Sequence, residues 1–102
     1  MMKCDYEKYA LIFKALSDET RLKIVSMLSD KELCACKILE AFNITQPTLS
    51  YHMKLLVDTN LVNAVKNGSW VNYSINEESK EELLMFLSQL LKAKCTCEKR
   101  RD

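Results

Sequence analysis

Residues 45–56 read T-Q-P-T-L-S-Y-H-M-K-L-L, and residues 61–75 read L-V-N-A-V-K-N-G-S-W-V-N-Y-S-I. The first stretch has the period of a helix and the second that of a β-hairpin; their succession decides the fold. Thr45 can cap a helix, and Pro47 suits its first turn, where a missing N–H loses no partner. Leu49, Met53 and Leu56 then fall at i, i+4 and i+7, which turns Pro47, Tyr51, Lys54 and Asp58 to the opposite side. In the second stretch the period drops to two around Asn67-Gly68, a pair that accepts positive φ and is a strong hairpin signal. A two-residue loop there pairs Ala64 with Val71 and Val62 with Tyr73, leaving Val65 and Trp70 on the other face.

Working outward, Tyr6, Tyr9, Ala10, Phe13 and Leu16 form one helical stripe. Ser17-Asp18 offers a cap to a second helix bearing Leu22, Ile24, Val25 and Leu28. A short third helix fits residues 36–42, with Ile38, Leu39 and Phe42 apolar, and Asn43-Ile44 forms the turn before Thr45. Asn76 caps a last helix whose first turn carries Glu77 and Glu78, where the helix dipole favours them. Its apolar set of Leu83, Leu84, Phe86, Leu87, Leu90 and Leu91 is broader than one packing face requires. That breadth points to a dimer interface, with a wide core face as the alternative. The order helix, helix, helix, helix, hairpin, helix predicts a mainly α fold, a winged helix-turn-helix with one β-hairpin wing, dimeric through its terminal helices.

With 102 residues, the chain reads as one domain over 1–102 with a short, basic, Cys-containing tail at 95–102. Its apolar runs are too short to span a bilayer and its N-terminus lacks the pattern of a signal peptide, so a soluble, cytoplasmic protein is expected, with no membrane partner. The formal net charge of +1 does not by itself announce a nucleic-acid partner. Residues 76–91 carry −3 and residues 92–102 carry +3, a balance typical of solvated ends. A lone His with no evident partner, no phosphate loop and no acid pair exclude the common catalytic arrangements, so an enzyme is not expected.

A recognition helix enters the major groove by its N-terminal residues. Here those are Thr45, Gln46 and Thr48, followed by Ser50, Tyr51, His52 and Lys54. Gln can bond adenine bidentately, Ser and Thr reach bases or phosphates, and Lys supplies a point charge. Lys66, Asn67 and Ser69 at the hairpin tip are the natural wing contacts. Taken singly, each of these polar residues reads as ordinary helix surface, and His52 in particular as a packing residue; the sequence of elements carries the reading.

The run E-L-C-A-C-K-I-L-E-A-F-N-I-T-Q-P-T-L-S-Y-H-M-K-L-L, followed by N-L-V-N-A-V-K-N-G-S-W-V-N-Y-S-I, resembles the arsenic-repressor (ArsR/SmtB) family of metal-responsive transcription factors. The upstream L-S-D-E-T-R-L-K-I-V is similar to that family's second-helix signature, and the resemblance spans residues 15–75. It implies a homodimeric repressor that leaves double-stranded operator DNA when a metal or metalloid binds. Two departures stand out. Tyr51 occupies a place where many members carry Arg, and Leu39 occupies that of the third cysteine of the prototype arsenic-responsive box.

Five cysteines, an odd number with no C-x-x-C, point to thiols, metal ligands or redox groups instead of a disulfide framework. Cys34 and Cys36 form a C-x-C just upstream of the recognition helix. On a regular helix, residues i and i+2 lie about 200° apart, so one ion can bridge them only if the helix start is distorted or not yet helical, as when Cys34 precedes the helix and Cys36 lies in its first turn. Soft thiolates select soft acceptors. The resemblance makes arsenite (As(III)) the leading ligand, with Cd(II), Pb(II) or Zn(II) as alternatives, and it asks for a third thiolate. Cys95 and Cys97, or Cys4 from a partner subunit, could supply it, or the chain could hold two separate sites. The alternative function on the same fold is a redox- or persulfide-sensing repressor.

Overall fold

A computed structural model describes residues 5–92. Among them the chain forms α1 (Tyr6–Leu16), α2 (Glu19–Leu28), β1 (Leu33–Cys34), α3 (Ala35–Glu40), α4 (Gln46–Asp58), β2 (Val62–Asn67), β3 (Trp70–Ile75) and α5 (Glu77–Leu90). The predicted caps on Asp18, Thr45 and Asn76 are all in place. Their side-chain oxygens accept the backbone N–H of Arg21, Thr48 and Ser79 at 3.1, 3.3 and 3.1 Å. Asp5 does the same for α1, accepting from Lys8 at 3.1 Å. Such a cap stabilises its helix by roughly 1 kcal/mol. Helix α4 stops at Thr59, followed by Asn60 in the left-handed region at φ 69°, which Asn tolerates better than most side chains.

The helices close over one main core. Ile24, Ile38, Leu49, Met53, Leu56 and Val62 are buried together, so α2, α3 and α4 meet the inner face of the sheet. Ile38 of α3 belongs to the same cluster as Leu49 and Met53 of α4, and Phe42 and Ile44 in the connecting turn pack on it. The helix-turn-helix is therefore held by its own apolar faces. A second cluster of Ile12, Leu61 and Leu83 ties α1 to the start of the wing and to α5.

The hairpin forms with a register two residues from the expected one. Val62 faces Ile75, Ala64 faces Tyr73 and Asn67 faces Trp70, so the loop is Gly68-Ser69, not Asn67-Gly68. Gly68 has φ +68° while Asn67 and Ser69 stay at negative φ, as a II′ turn with Gly at its first central position requires. A slip of two leaves every side chain on its expected face, so the apolar pattern could not distinguish the two registers. A strand absent from the sequence reading, β1, adds to the other edge of β3, giving the order β1-β3-β2. Leu33 faces Tyr73 and Cys34 faces Asn72.

Three other expectations need correction. The α1 stripe is split, because the helix packs on two neighbours. Ile12 and Ala15 face the core, while Tyr9 and Phe13 lie against Phe86 of α5, and Tyr6 and Ala10 are exposed. Leu22 of α2 is exposed, and Ile24 and Leu28 carry that face inward. Helix α3 begins at Ala35 and ends at Glu40, and Phe42 belongs to the turn. On α5, Leu83 and Phe86 are buried, while Leu84, Met85 and Leu90, with Leu91 just after it, are exposed, an apolar flank that no described residue of the protomer covers.

Candidate nucleic-acid interface and thiol pair

Helix α4 presents Gln46, Thr48, Ser50, Tyr51 and Lys54 to solvent, opposite the buried row of Leu49, Met53 and Leu56. At its start Thr45 Oγ1 donates to Thr48 Oγ1 at 3.0 Å, which sets both hydroxyls beside the open N–H groups of the first turn. Tyr51 is 61% exposed and stands edge-on to the His52 ring, with centroids 5.6 Å apart. Lys54 reaches Asp58 at 3.2 Å, an exposed i,i+4 pair that a phosphate can compete for. Lys66, Asn67 and Ser69 lie exposed at the wing tip, next to a Trp70 that is 40% exposed.

His52 differs from the others. It is half-buried, and its Nδ1 lies 2.8 Å from Nη1 of Arg21 on α2. Arg21 was not singled out by the sequence reading, although it stands in the D-E-T-R run that the resemblance draws on. Its Nε also donates to the Ala15 carbonyl at 2.6 Å, so one guanidinium joins α1, α2 and α4.

Cys34 is the N-cap of α3 and has extended backbone (φ −70°, ψ 147°), while Cys36 lies in the first helical turn. The predicted placement of one thiol before the helix and one inside it is therefore observed. The two Sγ atoms lie 2.6 Å apart, and Cys34 Sγ also accepts the Cys36 backbone N–H at 3.3 Å. The Cys36 thiol donating to it, and then the Cys36 backbone N–H, hold the Cys34 thiol below its ordinary pKa. Cys36, as the donor, is pushed up by that same bond and next by burial. Among the described residues no third Cys, His, Asp or Glu is gathered with others into a metal-holding group. Cys4, Cys95 and Cys97, and with them the basic tail, lie outside the described residues.

The family model for bacterial regulatory proteins of the arsR family matches residues 18–64, which run from the α2 cap to the first residues of the wing. The arsenical resistance operon repressor of Staphylococcus xylosus is 52% identical over 73 residues, covering 72% of this chain and 70% of that one. This chain belongs to the arsR family. The arsenical resistance operon repressor of Staphylococcus aureus is 42% identical over 94 residues, covering 90% of each chain. Among solved structures, HlyU from Vibrio cholerae superposes with a TM-score of 0.71 at 29% identity, covering 87% of this chain and 97% of that one. As an arsR-family protein the chain is a DNA-binding transcriptional regulator and not an enzyme. Among the described residues no helix is long and apolar enough to cross a membrane.

Proposed function

We propose that this chain is a homodimeric repressor that holds a two-fold symmetric operator and releases it when Cys34 and Cys36 coordinate arsenite. Cd(II), Pb(II) and Zn(II) are the alternative ions. The observation that carries this reading is the pair of sulfurs 2.6 Å apart at the start of α3, the first helix of the helix-turn-helix. Two relatives named as arsenical resistance operon repressors support the ligand class. In the cytoplasm, reducing conditions keep the pair as thiols.

The donor set fits a soft ion and is incomplete for one that asks for three thiolates. Cys95, Cys97 or Cys4 would complete it. An ion held by both thiolates would engage Cys34 Sγ, the atom that also accepts the Cys36 backbone N–H at the start of α3, and so would compete with the cap of that helix. Ile38 of α3 shares the main core with Leu49 and Met53 of the helix that bears Gln46 to Lys54, and that core is the route by which a shift at the start of α3 would reach the reading face. A coupling of about 1–3 kcal/mol, roughly 5–150-fold in operator affinity, is enough for such a switch.

The dimer follows from the uncovered apolar flank of Leu84, Met85, Leu90 and Leu91 on α5, with Tyr6 and Leu11 of α1 also exposed. A two-fold partner places two copies of α4 about one DNA turn apart, roughly 34–36 Å, on successive major-groove faces.

The same sulfur distance favours a second reading, in which oxidation or persulfidation of the pair releases DNA without metal. Fluorescence anisotropy of the reduced protein on the DNA upstream of its own gene separates the two. Arsenite, Cd(II), Pb(II) and Zn(II) are titrated in one series, and peroxide and polysulfide in another. Release by an ion names the ligand. Release only by oxidants, reversed by dithiothreitol, supports the second reading, and no binding by the reduced protein sinks both.

A further inference from the structure

His52 sits on the recognition helix, yet its ring is turned half inward to meet Arg21. Arg21 is held from three directions: its backbone N–H by Asp18, its Nε by the Ala15 carbonyl, and its Nη1 by His52 Nδ1. A guanidinium offers only donors and keeps its charge in proteins. The 2.8 Å contact therefore needs a lone pair on Nδ1, and the ring carries its proton on Nε2. That Nε2–H has no protein acceptor among the described residues. The ring is partly exposed, on the flank of α4 that faces α2, between the outward row of Thr48 and Tyr51 and the buried row of Met53 and Leu56. A donor on that flank faces the wall of the groove, where phosphate oxygens are the available acceptors.

We propose that Arg21 is a positioning residue for DNA binding: it fixes His52 as the Nε2–H tautomer and aims that donor at a phosphate of the operator. This rests on the DNA-binding reading of α4. It assigns a role to Arg21, which need not touch DNA itself, and makes His52 a backbone anchor. Lysine cannot replace the arginine, since one ammonium on a flexible stem cannot span both Ala15 O and His52 Nδ1 as the planar fork does.

His52 is the single histidine of the chain, so a long-range proton–nitrogen NMR spectrum of the reduced full-length protein shows one imidazole. The expected pattern is the Nε2–H tautomer in the wild type and a mixture of tautomers in Arg21→Lys. Operator binding is measured on the same proteins at fixed salt. Arg21→Lys and His52→Ala each weaken it roughly tenfold, the loss of one charge-assisted hydrogen bond. The double variant is no weaker than His52→Ala alone. Thermal melts of each variant establish that it is folded. Additive losses, or full affinity in Arg21→Lys, would show that Arg21 does not act through His52 and overturn the proposal. An Nδ1–H tautomer in the wild type overturns it whatever the DNA result. If the tautomer is as expected and the wild type binds no operator, the DNA-binding reading has failed and this proposal falls with it.

Discussion

Cys34 and Asn72 face each other across the β1–β3 ladder, so the first thiol of the pair is joined to the strand that carries the wing. Two residues along β3 stands Trp70, paired with Asn67 at the wing tip and partly exposed. It is the only Trp of the chain. A ligand that shifts the Cys34 backbone would disturb this pairing, and Trp70 is placed to report it. Arsenite added to the wild type should change Trp emission in proportion to DNA release, and the Cys34→Ser/Cys36→Ser variant should not respond. An unchanged emission accompanying full release would mean that the wing is not part of the switch.

The thiol pair is asymmetric, and its chemistry should be too. Cys34, held below its usual pKa by the Cys36 thiol and then by the Cys36 N–H, forms thiolate at a lower pH than Cys36, which is raised by the same bond. The thiolate is the reactive form. Pulsed iodoacetamide across a pH series, read by peptide mass mapping, should therefore label Cys34 at lower pH than Cys36. In Cys36→Ala the thiol donor is gone, so the Cys34 labelling curve should move to higher pH. Equal curves for the two cysteines would contradict this asymmetry.

The uncovered flank of α5 predicts association. Leu84→Glu together with Leu91→Glu places charges where a partner would sit without disturbing Leu83 or Phe86 underneath. Sedimentation should show a dimer for the wild type and a folded monomer for the double variant, with operator binding lost along with the dimer. A dimer unaffected by both charges would place the interface elsewhere.

Stability should divide by burial and backbone. Met53→Ala removes a side chain buried at the centre of the main core and should destabilise by about 2–5 kcal/mol in urea unfolding. Asn60→Ala places in the left-handed region, at φ 69°, a side chain that tolerates it less well than Asn, and should lose about 1 kcal/mol. Asn60→Gly should lose nothing. Equal losses for Ala and Gly would point to a side-chain role for Asn60.

Much of this architecture is legible in the sequence because several local signals agree. The Thr45 cap, the Pro47 first turn and the Leu49–Met53–Leu56 row all mark one helix, and the switch to period two marks the wing. The hairpin register was not legible, because Asn67-Gly68 and Gly68-Ser69 are both acceptable loops and differ by a slip that preserves every face. Strand β1 is two residues long and has no period to show. The α1 stripe misled because the helix serves two neighbours, so its apolar residues do not fall on one row. In the candidate site, the outward residues of α4 followed from its buried row. The Arg21–His52 contact did not, since it joins residues 31 apart through side chains whose reach no spacing rule encodes.

The central claim is that the Cys34–Cys36 pair switches operator binding. It is tested most directly by operator anisotropy of the wild type and the Cys34→Ser/Cys36→Ser variant, both reduced and at one salt concentration, titrated with arsenite. The account predicts equal affinity without arsenite, a 5–150-fold loss for the wild type, on the order of ordinary allosteric couplings, and no loss for the variant. Release of the variant at the same arsenite concentration as the wild type would contradict it.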